Sequence, residues 1–175
     1  MRIIGLAGWS GSGKTTLVTG VIPVLVRRGV KVATVKHAHH DFDIDQPGKD
    51  SWLHRQAGAG EVAIVSSRRW ALVHELGAEP EPPLADILQK LSPVDLVIVE
   101  GFKRHAHPKL EIYRASVGKP LLHPDDDCIV AVATDAPLPQ ASVPVLMLDD
   151  IEGIADMLQA EALPLDQIGP PLETV

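Results

Sequence analysis

The chain has 175 residues, 45% hydrophobic and 22% charged, with 16 Lys plus Arg against 23 Asp plus Glu and a formal net charge of −7. These proportions exclude a disordered or fibrous protein, and the length fits one domain with a substantial core. A net acidic chain with few aromatic residues (three Trp, two Phe, one Tyr) is also poorly suited to be a dedicated nucleic-acid binder.

Arg2–Ala7 reads as a first, apolar strand. It is too short for a signal peptide, and no window reaches about 18 unbroken apolar residues, so a soluble cytoplasmic protein is expected. After a glycine-rich stretch, Leu17, Val18, Val21, Val24 and Leu25 recur at helical spacing within Lys14–Arg28. Pro23 predicts a bend there and Gly29 a stop. Lys31–Lys36 is strand-like, His37–Gly48 polar and irregular, and Lys49–Ala59 helical. Glu61–Ser66 and Trp70–Glu75 read as two strands joined by the basic turn Ser67–Arg69. Glu79–Pro83 is a proline-rich acidic loop, followed by a helix at Leu84–Leu91 and an apolar strand over Val94–Val99 that runs into Glu100. Lys109–Arg114, Ile129–Thr134 and Val143–Leu148 are further strands, and Ile151–Ala160 is the last helix. The sole cysteine, Cys128, reads as a small core residue.

Strands alternating with helices predict a three-layer α/β fold with a mostly parallel sheet and one short antiparallel hairpin. The expected organisation is one domain over residues 1–162 and an extended tail over 163–175.

Gly8-Trp9-Ser10-Gly11-Ser12-Gly13-Lys14-Thr15 fits G-x-x-x-x-G-K-[ST], with a strand before it and a helix after. Such a loop curls its backbone N–H groups around phosphates at a helix N-terminus. Lys14 is expected on the β- and γ-phosphates, the Thr15 hydroxyl on Mg²⁺ and Thr16 on the α-phosphate. Glu100 ends an apolar strand at the ligand edge of an open sheet and is the candidate metal-side carboxylate. Asp135 follows another strand end. A carboxylate there can accept from guanine N1–H and the 2-amino group, a donor pair that adenine lacks. The familiar N-K-x-D sequence is missing, and capping of the turn at Ala136-Pro137 is the competing role for Asp135.

Lys36–Asp45 gathers His37, His39 and His40 with Asp41, Asp43 and Asp45. Metal binding, contacts to a ligand and a plain solvated loop all remain open for it. Lys49 and Arg55 near a helix start could take an anion, as could Lys103 and Arg104 after Glu100.

Taken together, Gly8–Thr15, K-H-x-H-H-D-x-D-x-D-x-P-G-K-D-S over residues 36–51, Arg55–Ala59 and V-E-G-F-K over 99–103 resemble the MobB family of molybdopterin-guanine dinucleotide biosynthesis adaptor proteins. The resemblance runs to about Asp150. It implies a Rossmann-like P-loop fold, GTP with Mg²⁺ as ligands, weak GTPase activity and a homodimer. It implies assistance to a molybdenum cofactor guanylyltransferase that attaches GMP to molybdopterin, and leaves molybdopterin itself as a second candidate ligand. By position it supports Gly11, Ser12, Gly13, Lys14, Thr15 and Thr16 as phosphate contacts, Thr15 and Glu100 at the metal, and Asp135 at guanine. The water-positioning group for hydrolysis is sought among Asp41, Asp43 and Glu100. The phosphate loop itself contains no Gln or Arg finger, so a partner or second subunit would complete the site. Two rival readings stand beside this one: an ATP-dependent small-molecule kinase, with Arg68, Arg69 and Arg104 as lid candidates, and a metal-insertion GTPase using the three histidines.

Overall fold

The computed structural model describes residues 1–38, 42–102 and 105–168. In chain order its elements are β1 (Arg2–Ala7), α1 (Lys14–Arg27), β2 (Val32–Lys36), α2 (Asp50–Gln56), β3 (Glu61–Val65), β4 (Trp70–His74), α3 (Leu84–Gln89), β5 (Leu96–Glu100), β6 (Lys109–Tyr113), β7 (Ile129–Thr134), β8 (Val145–Met147), α4 (Ile151–Glu161) and β9 (Leu163–Pro164). The chain divides into two compact units, Met1–His37 with Leu91–Val175, and Ala38–Lys90.

The first unit is built on a seven-stranded sheet in the order β2-β5-β1-β6-β7-β8, all parallel, with β9 pairing β1 from the antiparallel direction. Near-continuous apolar strands suit this arrangement, because both faces of a parallel sheet are covered. Alternation along β1 sends Ile4 and Leu6 to one face, where they join Leu17, Val21, Val24 and Leu25 of α1 and Ile154, Ala155 and Leu158 of α4 in one core cluster. Each fully buried aliphatic side chain contributes roughly 1.5–3 kcal/mol, so this cluster dominates the stability of the unit.

Helix α1 runs through Pro23, which lies on its exposed side. The missing N–H therefore costs little, since water can serve the carbonyl one turn back. The helix ends with Gly29 N–H donating to Val26 O at 3.0 Å and Val30 N–H to Leu25 O at 3.1 Å, the paired bonds of a glycine C-terminal stop. The guanidinium of Arg2 caps the C-terminal end of α4, donating to the carbonyls of Gln159, Ala160 and Ala162. The segment from Leu163, expected as an extended tail, thus starts with β9 against β1 and a 3₁₀ turn over Leu165–Gln167. Its local sequence has no strand signal; the pairing comes from the open N-terminal half of β1.

Strands β5 and β6 flank β1 on opposite sides, yet eight residues, 101–108, join them. A parallel crossover usually needs a dozen or more residues and a helix. Here the ring of His107 lies directly on β1 at Gly5, where an added Cβ would meet His107 Cδ2 at 2.8 Å. A glycine in mid-strand marks such a close approach.

In the second unit, β3 and β4 form the expected antiparallel hairpin, registered from Glu61 opposite His74 to Val65 opposite Trp70. The Ser66 hydroxyl closes its turn by accepting from the N–H groups of Arg68 and Arg69. Helix α2 stops at Gln56, three residues short of the expected end, where Gly58 takes a positive φ.

Candidate phosphate-binding site

The loop from Gly8 to Gly13 connects β1 to α1, which opens with Lys14 and Thr15, at the C-terminal edge of the sheet. Gly8 has φ 148°, and a Cβ there would sit 2.6 Å from the Ile112 carbonyl and 2.7 Å from Ser12 Oγ. No other residue fits this position without moving the backbone. Gly13 is the residue preceding α1, with φ 98°. Lys14 folds back along the loop, its Nζ donating to the carbonyls of Gly8 at 2.9 Å and Trp9 at 3.1 Å. Ser12 is buried, and its hydroxyl oxygen has no hydrogen-bond partner among the described residues. An orphaned buried hydroxyl is costly unless a ligand or water serves it. Thr15 and Thr16 are exposed at the first turn of α1.

Register places the acidic candidate beside this loop. Glu100 on β5 is opposite Leu6 on β1 and opposite Lys36 on β2. Thr15 and Glu100 line one open cleft of about 110 Å³, together with Val18, Thr19, Thr34, Val35, Lys36 and Ile98. A hydroxyl and a carboxylate sharing a cleft beside a phosphate loop fit Mg²⁺, which binds through few protein oxygens and completes its shell with phosphate and water.

Beyond Glu100 the chain turns sharply. Phe102 adopts φ 50°, and its ring lies tilted against His37 at 4.9 Å and meets His105 edge-on at 5.3 Å. His37 N–H donates to the Glu100 carbonyl at 2.8 Å. His37 therefore packs on the turn that presents Glu100. His39, His40, Asp41, Lys103 and Arg104 lie outside the described residues.

On the other side of β1, Asp135 follows β7, and its Oδ2 accepts from Arg114 Nη1 at 3.1 Å. The turn after β7 is held by Thr134, whose hydroxyl accepts from Ala136 N–H and donates to Ala136 O. The carboxylate of Asp135 is thus not consumed in capping that turn. Arg114, the residue after β6, also donates from Nε to the Ser12 carbonyl of the phosphate loop at 3.1 Å. Sequence reading passed over Arg114. Its signal was there: a basic residue at the end of a predicted strand, on the same edge as Glu100 and Asp135. Trp9 was missed as well. Its indole N–H donates to the Pro120 carbonyl at 2.8 Å, and Lys119 Nζ stands 5.7 Å from the ring. These contacts tie the phosphate loop to the segment after β6.

Arg55 and Asp43 have a different setting in the second unit. Arg55 reaches Asp43 at 2.6 Å, Asp45 at 2.7 Å and Glu75 at 2.6 Å, with its side chain largely buried. The expected anion site at Arg55 is thus filled by the chain's own carboxylates. Hydrogen bonds from Arg55 hold Asp45 below the usual carboxylate range.

The parallel sheet with a phosphate loop between β1 and α1 defines a P-loop protein of the α/β class. The family model for MobB, molybdopterin guanine dinucleotide synthesis protein B, matches residues 3–135. The chain is 41% identical over 159 residues to the molybdopterin-guanine dinucleotide biosynthesis adapter protein of Escherichia coli K12, covering 89% of this chain and 90% of that one. It is 39% identical to the adapter protein of Haemophilus influenzae, covering 90% and 87%. A crystal structure of molybdopterin-guanine biosynthesis protein B superposes with a TM-score of 0.72 at 30% identity, over 90% of this chain and 98% of the other. The chain belongs to the MobB family.

Proposed function

We propose that this protein is a GTP-binding adapter of molybdopterin-guanine dinucleotide biosynthesis with slow, Mg²⁺-dependent GTPase activity, assisting the guanylyltransferase that joins GMP to molybdopterin. The pathway comes from its relatives, which carry the adapter name. The observation that carries the guanine reading is Asp135, which follows β7 at the sheet edge with its carboxylate not used to close the Thr134 turn and paired with Arg114.

In this reading the backbone of Gly11–Gly13 cradles the phosphates. Lys14 exchanges the carbonyls of Gly8 and Trp9 for the β- and γ-phosphates. Thr15 and Glu100 hold Mg²⁺, which when bound neutralises charge on the transferring phosphoryl group. Of the water-positioning candidates, Glu100 shares the cleft of Thr15, whereas Asp43 is engaged with Arg55. Asp41 lies outside the described residues. Thr16 contacts the α-phosphate.

A homodimer belongs to the proposal. Val65, Trp70 and Leu72 of the hairpin are exposed, Val65 and Trp70 by 70% or more. Molybdopterin is a second ligand to be tested. Among the described residues no helix is long and apolar enough to cross a membrane, and we place the protein in the cytoplasm with its pathway.

Calorimetry of GTP and ATP with Mg²⁺ tests the core of this reading. Wild type should prefer GTP, Asp135→Ala should lose the preference, and Lys14→Ala should lose tight binding of both. Equal binding of ATP by the wild type would overturn it.

A further inference from the structure

We propose that Arg114 is a specificity-determining positioning residue, fixing the Asp135 carboxylate against the phosphate loop so that it reads the 2-amino edge of guanine. This deepens the guanine reading and rests on it.

The guanidinium of Arg114 bridges two parts of the candidate site. Its Nε donates to the Ser12 carbonyl at 3.1 Å, and its Nη1 donates to Asp135 Oδ2 at 3.1 Å. The guanidinium also lies against the loop backbone: a Cβ at Gly13 would meet Arg114 Nε at 3.3 Å. The fork is planar and rigid, so anchoring Nε on the loop also fixes the direction in which Nη1 is presented. Asp135 has no such anchor of its own, because the Thr134 hydroxyl and not the carboxylate closes the turn that follows.

Geometry leaves the carboxylate able to serve two partners. A carboxylate has about four acceptor positions on its two oxygens. Arg114 occupies one, at Oδ2, and among the described residues Oδ1 accepts no hydrogen bond. A purine edge can therefore be read while the ion pair persists. The pair is about one-third exposed on each side, so its net contribution to folding is small. Its consequence is orientation. A freely rotating carboxylate still attracts any purine bearing an N1–H, whereas a fixed one rewards the second donor on C2.

The test compares GTP with inosine triphosphate, which keeps N1–H and lacks the 2-amino group. The phosphates are identical, so any effect of Arg114 on phosphate charge, or on loop order in general, cancels in the ratio of the two dissociation constants. Wild type, Arg114→Ala and Arg114→Lys are titrated by calorimetry with Mg²⁺, and each is checked for an unchanged melting profile. Wild type should favour GTP. The ratio should fall about tenfold in Arg114→Ala, the size expected when one well-placed charged hydrogen bond is lost. It should fall also in Arg114→Lys, which keeps the charge and cannot span Ser12 and Asp135. Equal weakening of both nucleotides, with the ratio preserved, would overturn the proposal and leave the guanine site standing. A wild type that binds GTP and inosine triphosphate equally would also overturn the proposal, because no contact to the 2-amino group is then made, whereas the guanine reading itself falls only if ATP binds as well as GTP.

Discussion

Glu111 on β6 accepts three hydrogen bonds from one short stretch: Leu122 N–H at 2.7 Å, His123 N–H at 2.9 Å and His123 Nδ1 at 3.3 Å. Both Glu111 and His123 are buried. The carboxylate thus replaces the backbone partners that the loop after β6 cannot find in the sheet. That loop also carries Pro120, the partner of Trp9 in the phosphate loop. Glu111→Ala would strand the buried His123 N–H and the part-buried Leu122 N–H, each worth about 1–3 kcal/mol. Urea unfolding should show a loss of about 3 kcal/mol, and a loss below about 1 kcal/mol would contradict this assignment.

Arg55 presents its fork to Asp43, Asp45 and Glu75 at once. A lysine ammonium is a point charge and cannot reproduce that geometry. Arg55→Lys should therefore lower the melting temperature at pH 7 nearly as far as Arg55→Ala. The sign with pH follows from the lowered pKa of Asp45. Its contribution is complete above the unfolded carboxylate value and is lost as pH falls through the lower folded value. The gap between wild type and Arg55→Ala should then narrow in acid; a gap that is constant down to strongly acidic pH would refute the linkage.

The parts of this molecule that were legible in the sequence are those with local signals. The phosphate loop is written in contiguous residues, and β1, β5 and β7 in unbroken apolar runs. Asp135 could be placed at the ligand edge because it directly follows an apolar strand. What stayed hidden depends on pairing between distant segments. Nothing near Leu163 announces that β9 will lie on β1. Nothing near Lys109 or Glu111 announces burial, since charged residues at alternate strand positions normally mark a solvent face. Here Asp126 and His123 arrive from a later loop to pair with them. Arg55 read as a free cation because its partners Asp43, Asp45 and Glu75 lie 10 to 20 residues away on either side.

His107 is 1% exposed, and both of its ring nitrogens lack a hydrogen-bond partner among the described residues. Burial, reinforced by the charge of Lys109, pushes its pKa down to about 4. The folded value lies below the unfolded one, near 6.5. Folding therefore requires neutral imidazole, and stability is complete above about pH 6.5 and erodes toward pH 4. The full effect is about 3 kcal/mol. His107→Phe keeps a flat ring against Gly5 and removes the titration. Chemical denaturation at pH 7, 6 and 5 should show a steeper decline for wild type than for the variant. Parallel declines would mean that other groups carry the acid sensitivity.

Thr15 and Glu100 come from different elements, α1 and β5, and meet in one cleft because β5 is the direct neighbour of β1. If that cleft holds Mg²⁺, the two residues should affect nucleotide binding only when the metal is present. Titrations of GTP with Mg²⁺ and with EDTA separate this from a general effect on the loop. Wild type should bind more tightly with Mg²⁺, and Thr15→Ala and Glu100→Gln should each lose most of that gain while matching wild type in EDTA. Thr15→Ser should keep the gain, since the hydroxyl alone is required at the metal. A variant weakened equally under both conditions would be acting on the phosphate loop, and Glu100 would then lose its place as the metal-side carboxylate.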